Sequence, residues 1–114
     1  MDSRFARQMK KGVLDMVVLR LVAEKETYGY ELIQELSERG SGFFDLKEGT
    51  LYPVLYRLED TGLVETFWKN GEGRSTPKKY YCITEKGRET LNDYYSVWKQ
   101  FEKCVDELCR EETL

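Results

Sequence analysis

Histidine is absent from all 114 residues, which removes the commonest general base and the commonest transition-metal ligand together. Cysteine occurs three times, as Cys82, Cys104 and Cys109, an odd count without a paired framework. Cys104 and Cys109 stand five apart in a helical stretch, roughly 140° around its axis, so they cannot bridge within one chain. Partly buried free thiols in a reducing compartment are the plain reading. Long apolar runs are missing too: the longest, MVVL at 16 to 19, ends at Arg20 and is far too short to span a bilayer. Basic residues precede this run as in a signal peptide, but Asp15 and Arg20 interrupt it and no small-residue cleavage site follows. A cytoplasmic protein without a membrane partner is expected. With no histidine, no metal cluster and no phosphate loop, neither a catalytic constellation nor a cofactor or metal site can be assembled.

What is present describes a folded, charge-rich single domain: 40% of residues are apolar, 34% are charged and only two are proline. The net charge of -3 argues against nucleic-acid binding until it is located. Residues 1 to 81 are neutral, and the acidic excess lies entirely in 82 to 114. Two stretches of the neutral part are locally basic, one around Arg4, Arg7, Lys10 and Lys11, the other around Lys69, Arg74, Lys78 and Lys79.

Helical periodicity is strong from Phe5 to Glu24, where Met9, Val13, Met16, Val17 and Leu21 form one stripe and Leu14, Val18 and Val22 a second. Such a helix is apolar around most of its circumference and must lie between neighbours. Thr27 offers an N-cap for YGYELIQELSERG, which Gly40 ends, and Gly29 near its start suggests close backbone approach. In EGTLYPVLYRLEDTGLV, residues 48 to 64, Leu51, Leu55 and Leu58 with Val54 make one buried stripe, while Tyr52, Tyr56, Glu59 and Asp60 occupy the other face. Proline costs little where the helix N–H groups have no internal partner. Pro53 therefore predicts a start near Gly49 or Thr50 with itself in the first turn, and Gly62 ends the helix. LVETFWK (63 to 69) and KKYYCIT (78 to 84) read as strands of a hairpin around NGEGRSTP. A long helix over about 85 to 111 follows, with Leu91, Tyr94, Trp98, Phe101, Val105 and Leu108 on a heptad seam.

Three short helices, a hairpin and a long helix give a mainly α fold with a β-hairpin, a winged helix-turn-helix plus a C-terminal dimerisation helix. Residues 1–84 form the DNA-binding domain; residues 85–114 form the dimerisation helix, one compact unit with the first helix. The third helix becomes the recognition helix, presenting Thr50, Tyr52, Lys47 and Arg57 to backbone or base edges, with Tyr56 beside them and Pro53 stiffening the turn. Lys69, Arg74, Lys78 and Lys79 surround the tip of the wing, and Lys10 and Lys11 add contacts from the first helix. From charge alone a solvated surface hairpin is slightly the better reading of these residues; the helix order before them favours DNA. The tyrosines alone fit packing between helices as well as exposure.

At ~1.5 Å per residue the last helix spans ~40 Å, more than so small a domain can cover, so its seam calls for a second chain and a homodimer. Tyr94, Trp98 and Phe101 admit two readings: aromatic packing at the interface, or a flat pocket between subunits that stacks a small planar ligand.

The chain resembles the PadR family of bacterial transcriptional regulators in its short form. The resemblance lies in KGVLDMVVLRLV (11 to 22), YGYELIQEL (28 to 36), GTLYPVLYRLEDTGLV (49 to 64) and KKYYCITEKG (78 to 87). It implies a winged-helix homodimer that represses from an operator, with DNA contacts from Thr50, Tyr52 and Pro53 and from the wing around Lys78 and Lys79. It also implies a site for flat hydrophobic effectors between the two copies of Trp98. Cys82 stands where this family often has a polar or basic residue on the wing. A winged helix serving as a protein-interaction module is the competing reading, and a neutral DNA-binding half is compatible with it.

Overall fold

The computed structural model describes residues 4–71, 73 and 76–111. Its described elements run α1 (Arg4–Glu24), β1 (Thr27–Tyr28), α2 (Gly29–Arg39), α3 (Glu48–Asp60), β2 (Val64–Lys69), β3 (Lys78–Ile83) and α4 (Glu85–Cys109). Helices α1, α2 and α3 form the helix-turn-helix body, β2 and β3 the wing, and α4 returns to pack along α1. The core joins Leu14, Val18, Leu19 and Val22 of α1 to Leu32 and Leu36 of α2, Leu51, Val54, Leu55 and Leu58 of α3, and Leu63, Val64, Tyr81 and Leu91. The second α1 stripe, Leu14, Val18 and Val22, and the leucine stripes of α2 and α3 are therefore buried against one another, whereas of the stripe Met9, Val13, Met16, Val17 and Leu21 only Leu21 is buried.

Two local expectations are corrected. Thr27 is not the cap of α2: it is a strand residue, 1% exposed, paired with Tyr81 in a sheet of order β1-β3-β2. Its hydroxyl donates to Glu31 Oε1 at 2.7 Å, and the N-cap position falls to Tyr28, which has no side-chain cap bond. The hairpin thus gains a two-residue third strand, because a buried threonine finds in β3 the backbone partner that an edge strand offers. Pro53 also lies deeper than expected. Because α3 begins at Glu48 after the extended Lys47, Pro53 sits in the second turn. The N–H it lacks would have bonded the Gly49 carbonyl, and Gly49 is exposed, so water can satisfy that group.

The end of α3 follows the sequence closely. Gly62 has φ 78°, Gly62 N–H bonds Glu59 O at 3.0 Å and Leu63 N–H bonds Leu58 O at 2.8 Å, the paired bonds of a glycine helix stop. The start of α4 is built onto that stop. Thr84 caps α4 by accepting from Gly87 N–H at 2.9 Å and donates to Gly62 O at 2.7 Å, while Lys86 Nζ donates to Thr61 O at 2.9 Å. A side chain at Gly87 would collide with the Leu63 carbonyl. The end of α3 and the start of α4 are therefore tied directly to each other through Thr84 and Lys86.

Candidate nucleic-acid interface

Helix α3 is held by its buried leucines, so its opposite face is fixed in the open. Thr50, Pro53, Tyr52 (44% exposed) and Tyr56 (69% exposed) all lie on it. Tyr52 has a defined seat. Its ring lies across Gly29, where a Cβ would overlap Tyr52 Oη and Cζ, so the close approach suggested by Gly29 is made by a side chain of α3. Lys47 precedes the helix and is exposed. Glu48 in the first turn already complements the positive end of the helix dipole, so the dipole adds little attraction for phosphate there.

The basic residues are divided by their partners. Arg57 is turned to α1, with Nη2 at 2.7 Å and Nε at 3.4 Å from the two Asp15 oxygens. That hydrogen bond raises the already high Arg57 pKa, against some desolvation. Lys79 is half-buried on the wing's inner side, 3.4 Å from Glu59 Oε1 and 5.6 Å above the Tyr81 ring. Glu59 also accepts from Thr66 Oγ1 at 3.0 Å, so one carboxylate at the end of α3 ties down both wing strands. Lys78 and Lys69 are exposed and lie over aromatic rings, Lys78 4.6 Å from Tyr28 and Lys69 5.0 Å from Tyr80. These rings continue through Tyr28, Tyr80 and Phe67, with centroids 5.2 and 5.7 Å apart, along the outer face of the sheet. Lys11 is exposed one helical turn before Asp15, on the side α3 packs against, and Lys10 is half-buried. Arg74 lies outside the described residues.

Cys82 shares the outer face of the wing with Glu65 opposite it. Burial, then the charges of Glu65 and Glu26, push its thiol pKa up. The thiol is therefore protonated and poorly nucleophilic at neutral pH.

Sequence reasoning passed over Trp68 and Tyr30. Trp68 is 69% exposed and Tyr30 60% exposed, and the two line a cleft of about 450 Å³ together with Tyr28, Gly29, Tyr52, Lys78, Lys79 and Tyr81. Ranking the wing by its charges hid the tryptophan, although FWK at 67 to 69 displays it.

Along α4 only Gly87 and Leu91 are buried. Tyr94, Phe101, Val105 and Leu108 of the heptad seam are exposed and Trp98 is half-buried. Tyr95 and Trp98 border a groove of about 890 Å³ that also includes Met16, Val17 and Leu21 of α1 and Leu36 of α2. No helix among the described residues is long and apolar enough to cross a membrane.

Comparison with known proteins agrees with this architecture. Residues 18–93 match the Transcriptional regulator PadR-like family. A transcriptional regulator of Mycobacterium tuberculosis is 31% identical over 105 residues, covering 92% of this chain and 87% of that protein. The negative transcriptional regulator PadR of Bacillus subtilis is 32% identical over 82 residues, covering 72% of this chain and 44% of that protein. A crystal structure of a PadR-like transcriptional regulator from Bacillus cereus superposes with a TM-score of 0.79 at 36% identity, covering 92% of this chain and 99% of that one. Members of this family are DNA-binding regulators and not enzymes, and they commonly form dimers. With the helix-turn-helix, the wing and the long last helix all in place, this chain belongs to the PadR-like family of transcriptional regulators.

Proposed function

We propose that this protein is a repressor that binds a palindromic operator as a homodimer and is released by a small planar hydrophobic effector at the dimer interface. Residues 1–84 supply the DNA-binding unit and residues 85–114 the dimerisation helix. The observation that carries the reading is the outward face of α3, where Thr50, Tyr52, Pro53 and Tyr56 are held in solvent by the buried leucine stripe behind them. Major-groove readout requires hydrogen-bonding side chains held on the exposed face of a helix, and the hydroxyls of Thr50, Tyr52 and Tyr56 supply them here. The exposed seam of α4 supports dimerisation, since an apolar row of this length is normally covered by another chain. Repression is supported by the negative regulator of Bacillus subtilis. The groove beside Trp98 has the volume of a small-molecule site and an apolar lining, which supports an effector.

Hydroxyl-radical footprinting on a duplex from upstream of the protein's own gene tests the reading. A repressor dimer protects two symmetric patches centred about one helical turn, ~34 Å, apart; one unpaired patch, or none, contradicts it. The protein-interaction alternative predicts no binding that prefers the operator duplex, whereas a repressor binds it tightly and loses affinity steeply as salt is added.

A further inference from the structure

Asp15 belongs to α1 and not to the face that reads DNA, yet it decides where the one arginine of α3 points. That helix carries Glu48, Glu59 and Asp60 against a single cation, Arg57, an adverse balance for an element that approaches a polyanion. Arg57 follows Thr50 by about two turns, which sets it along one edge of the open face; Glu59 follows Tyr52 by the same interval along the other edge. Each edge ends in an ion pair to another element. Arg57 gives Nη2 to Asp15 Oδ1 at 2.7 Å and Nε to Asp15 Oδ2 at 3.4 Å, a two-point grip between residues 42 apart in sequence. On the opposite edge Glu59 Oε1 takes Lys79 Nζ at 3.4 Å. Both cations that border the open face are thus held by carboxylates of this same chain.

Affinity for DNA of any sequence comes from free positive charges that neutralise phosphates and release their counterions. An arginine–aspartate pair is neutral as a unit and releases none. Were the guanidinium to swing to a phosphate, it would exchange one anion for another and leave Asp15 unpaired beside the duplex, where it repels. An exposed pair of this kind contributes little to the stability of the fold, so the consequence of Asp15 falls on binding. We infer that Asp15 is a positioning residue for DNA binding: it withdraws Arg57 from the phosphates and so sets how strongly, and with what salt dependence, the protein binds every duplex. Sequence preference stays with Thr50, Tyr52 and Tyr56. Glu59 withdraws Lys79 in the same way on the other edge. The inference rests on the DNA-binding reading of α3. A low background affinity matters to a regulator because non-specific sites in a genome vastly outnumber its operators.

The test titrates the full chain by fluorescence anisotropy against a duplex from upstream of its own gene and a scrambled duplex, over about 50 to 200 mM salt. Asp15→Asn keeps the shape of the side chain and removes its charge. It steepens the slope of log K against log salt by about 0.9 on both duplexes, one added phosphate contact, so a fourfold rise in salt costs the variant about 3.5-fold more affinity than wild type. The ratio of the two affinities stays as in wild type. Adding Arg57→Gln, which replaces the ion pair by two neutral amides, returns the slope to the wild-type value. Circular dichroism and thermal melts establish that each variant is folded. An unchanged slope in Asp15→Asn overturns the inference. So does a steepening that persists in the double variant, because Asp15 would then act through its own charge and not through Arg57. A double variant shallower than wild type by about 0.9 also overturns it, because Arg57 would already hold a phosphate in the native protein. In all three cases salt-dependent binding by the wild type leaves the α3 reading standing; no salt-dependent binding of either duplex by the wild type overturns both.

Discussion

Replacing Gly29 with alanine is expected to damage DNA binding while leaving stability nearly unchanged. The added Cβ falls inside the Tyr52 ring, against Oη, Cζ and Cε1, so the two groups cannot coexist as they stand. Tyr52 is 44% exposed and free to rotate outward, at about 0.5–1.5 kcal/mol if it leaves its preferred rotamer. Alanine in place of glycine returns about 0.4–1 kcal/mol by restricting the unfolded chain. The two terms nearly cancel, so urea melts of Gly29→Ala should lie within about 1 kcal/mol of wild type. Duplex affinity should nevertheless fall about as far as in Tyr52→Ala, because the tyrosine has left its seat. The double variant is the decisive one. With Tyr52 removed the Cβ has room, so Gly29→Ala should then stabilise the fold by about 0.4–1 kcal/mol and cost no further affinity. A loss of several kcal/mol in the single variant, or binding losses that add in full, would refute the idea that Gly29 exists to seat Tyr52. Gly87→Ala provides the contrast, since there the obstacle is the Leu63 backbone carbonyl, which cannot swing away. It should lose about 1–3 kcal/mol in the same melts.

Glu59→Gln keeps an acceptor for Thr66 and frees Lys79. Stability should change by less than about 1 kcal/mol, while the salt slope of duplex binding steepens by about 0.9 as Lys79 becomes available to phosphate; an unchanged slope would keep Lys79 off the DNA. The bond from Arg39, at 2.8 Å, lowers the Glu24 pKa. A lowered folded-state pKa contributes stability above the usual carboxylate range that disappears as pH falls through the folded value. The Tm gap between wild type and Glu24→Gln should therefore close on acidification from neutral pH, and a gap that widens would be wrong in sign. Cys82, its thiol pushed up by burial, should react with iodoacetamide at pH 8 more slowly than glutathione does, as read by peptide mass spectrometry.

Features set by neighbours in sequence were legible before the fold was known. The stop at Gly62 needs only a left-handed residue after the last leucine, and α4 as one long helix needs only its helical periodicity. Features set by distant partners were not. Arg57 and Lys79 look alike as DNA-facing cations until Asp15 and Glu59 arrive from 42 and 20 residues away. Thr27 is polar and stands before a helix, which fits a cap; only its pairing with Tyr81 makes it a strand residue. The start of α3 at Glu48, one or two residues ahead of the expected Gly49 or Thr50, depends on Lys47, whose carbonyl accepts from both Thr50 and Leu51 at 3.0 Å. The cleft at Trp68 joins α2, α3 and the wing, so no single stretch of sequence could display it.

The central claim is that the open face of α3 reads DNA, and one titration addresses it most directly. Wild type and Tyr52→Ala are titrated against a labelled duplex from upstream of the protein's own gene and a scrambled duplex, at two salt concentrations. The expected result is tight, salt-sensitive wild-type binding that prefers the native duplex, with Tyr52→Ala losing most of that preference while remaining folded. Equal weak binding of both duplexes by wild type and variant alike would contradict it.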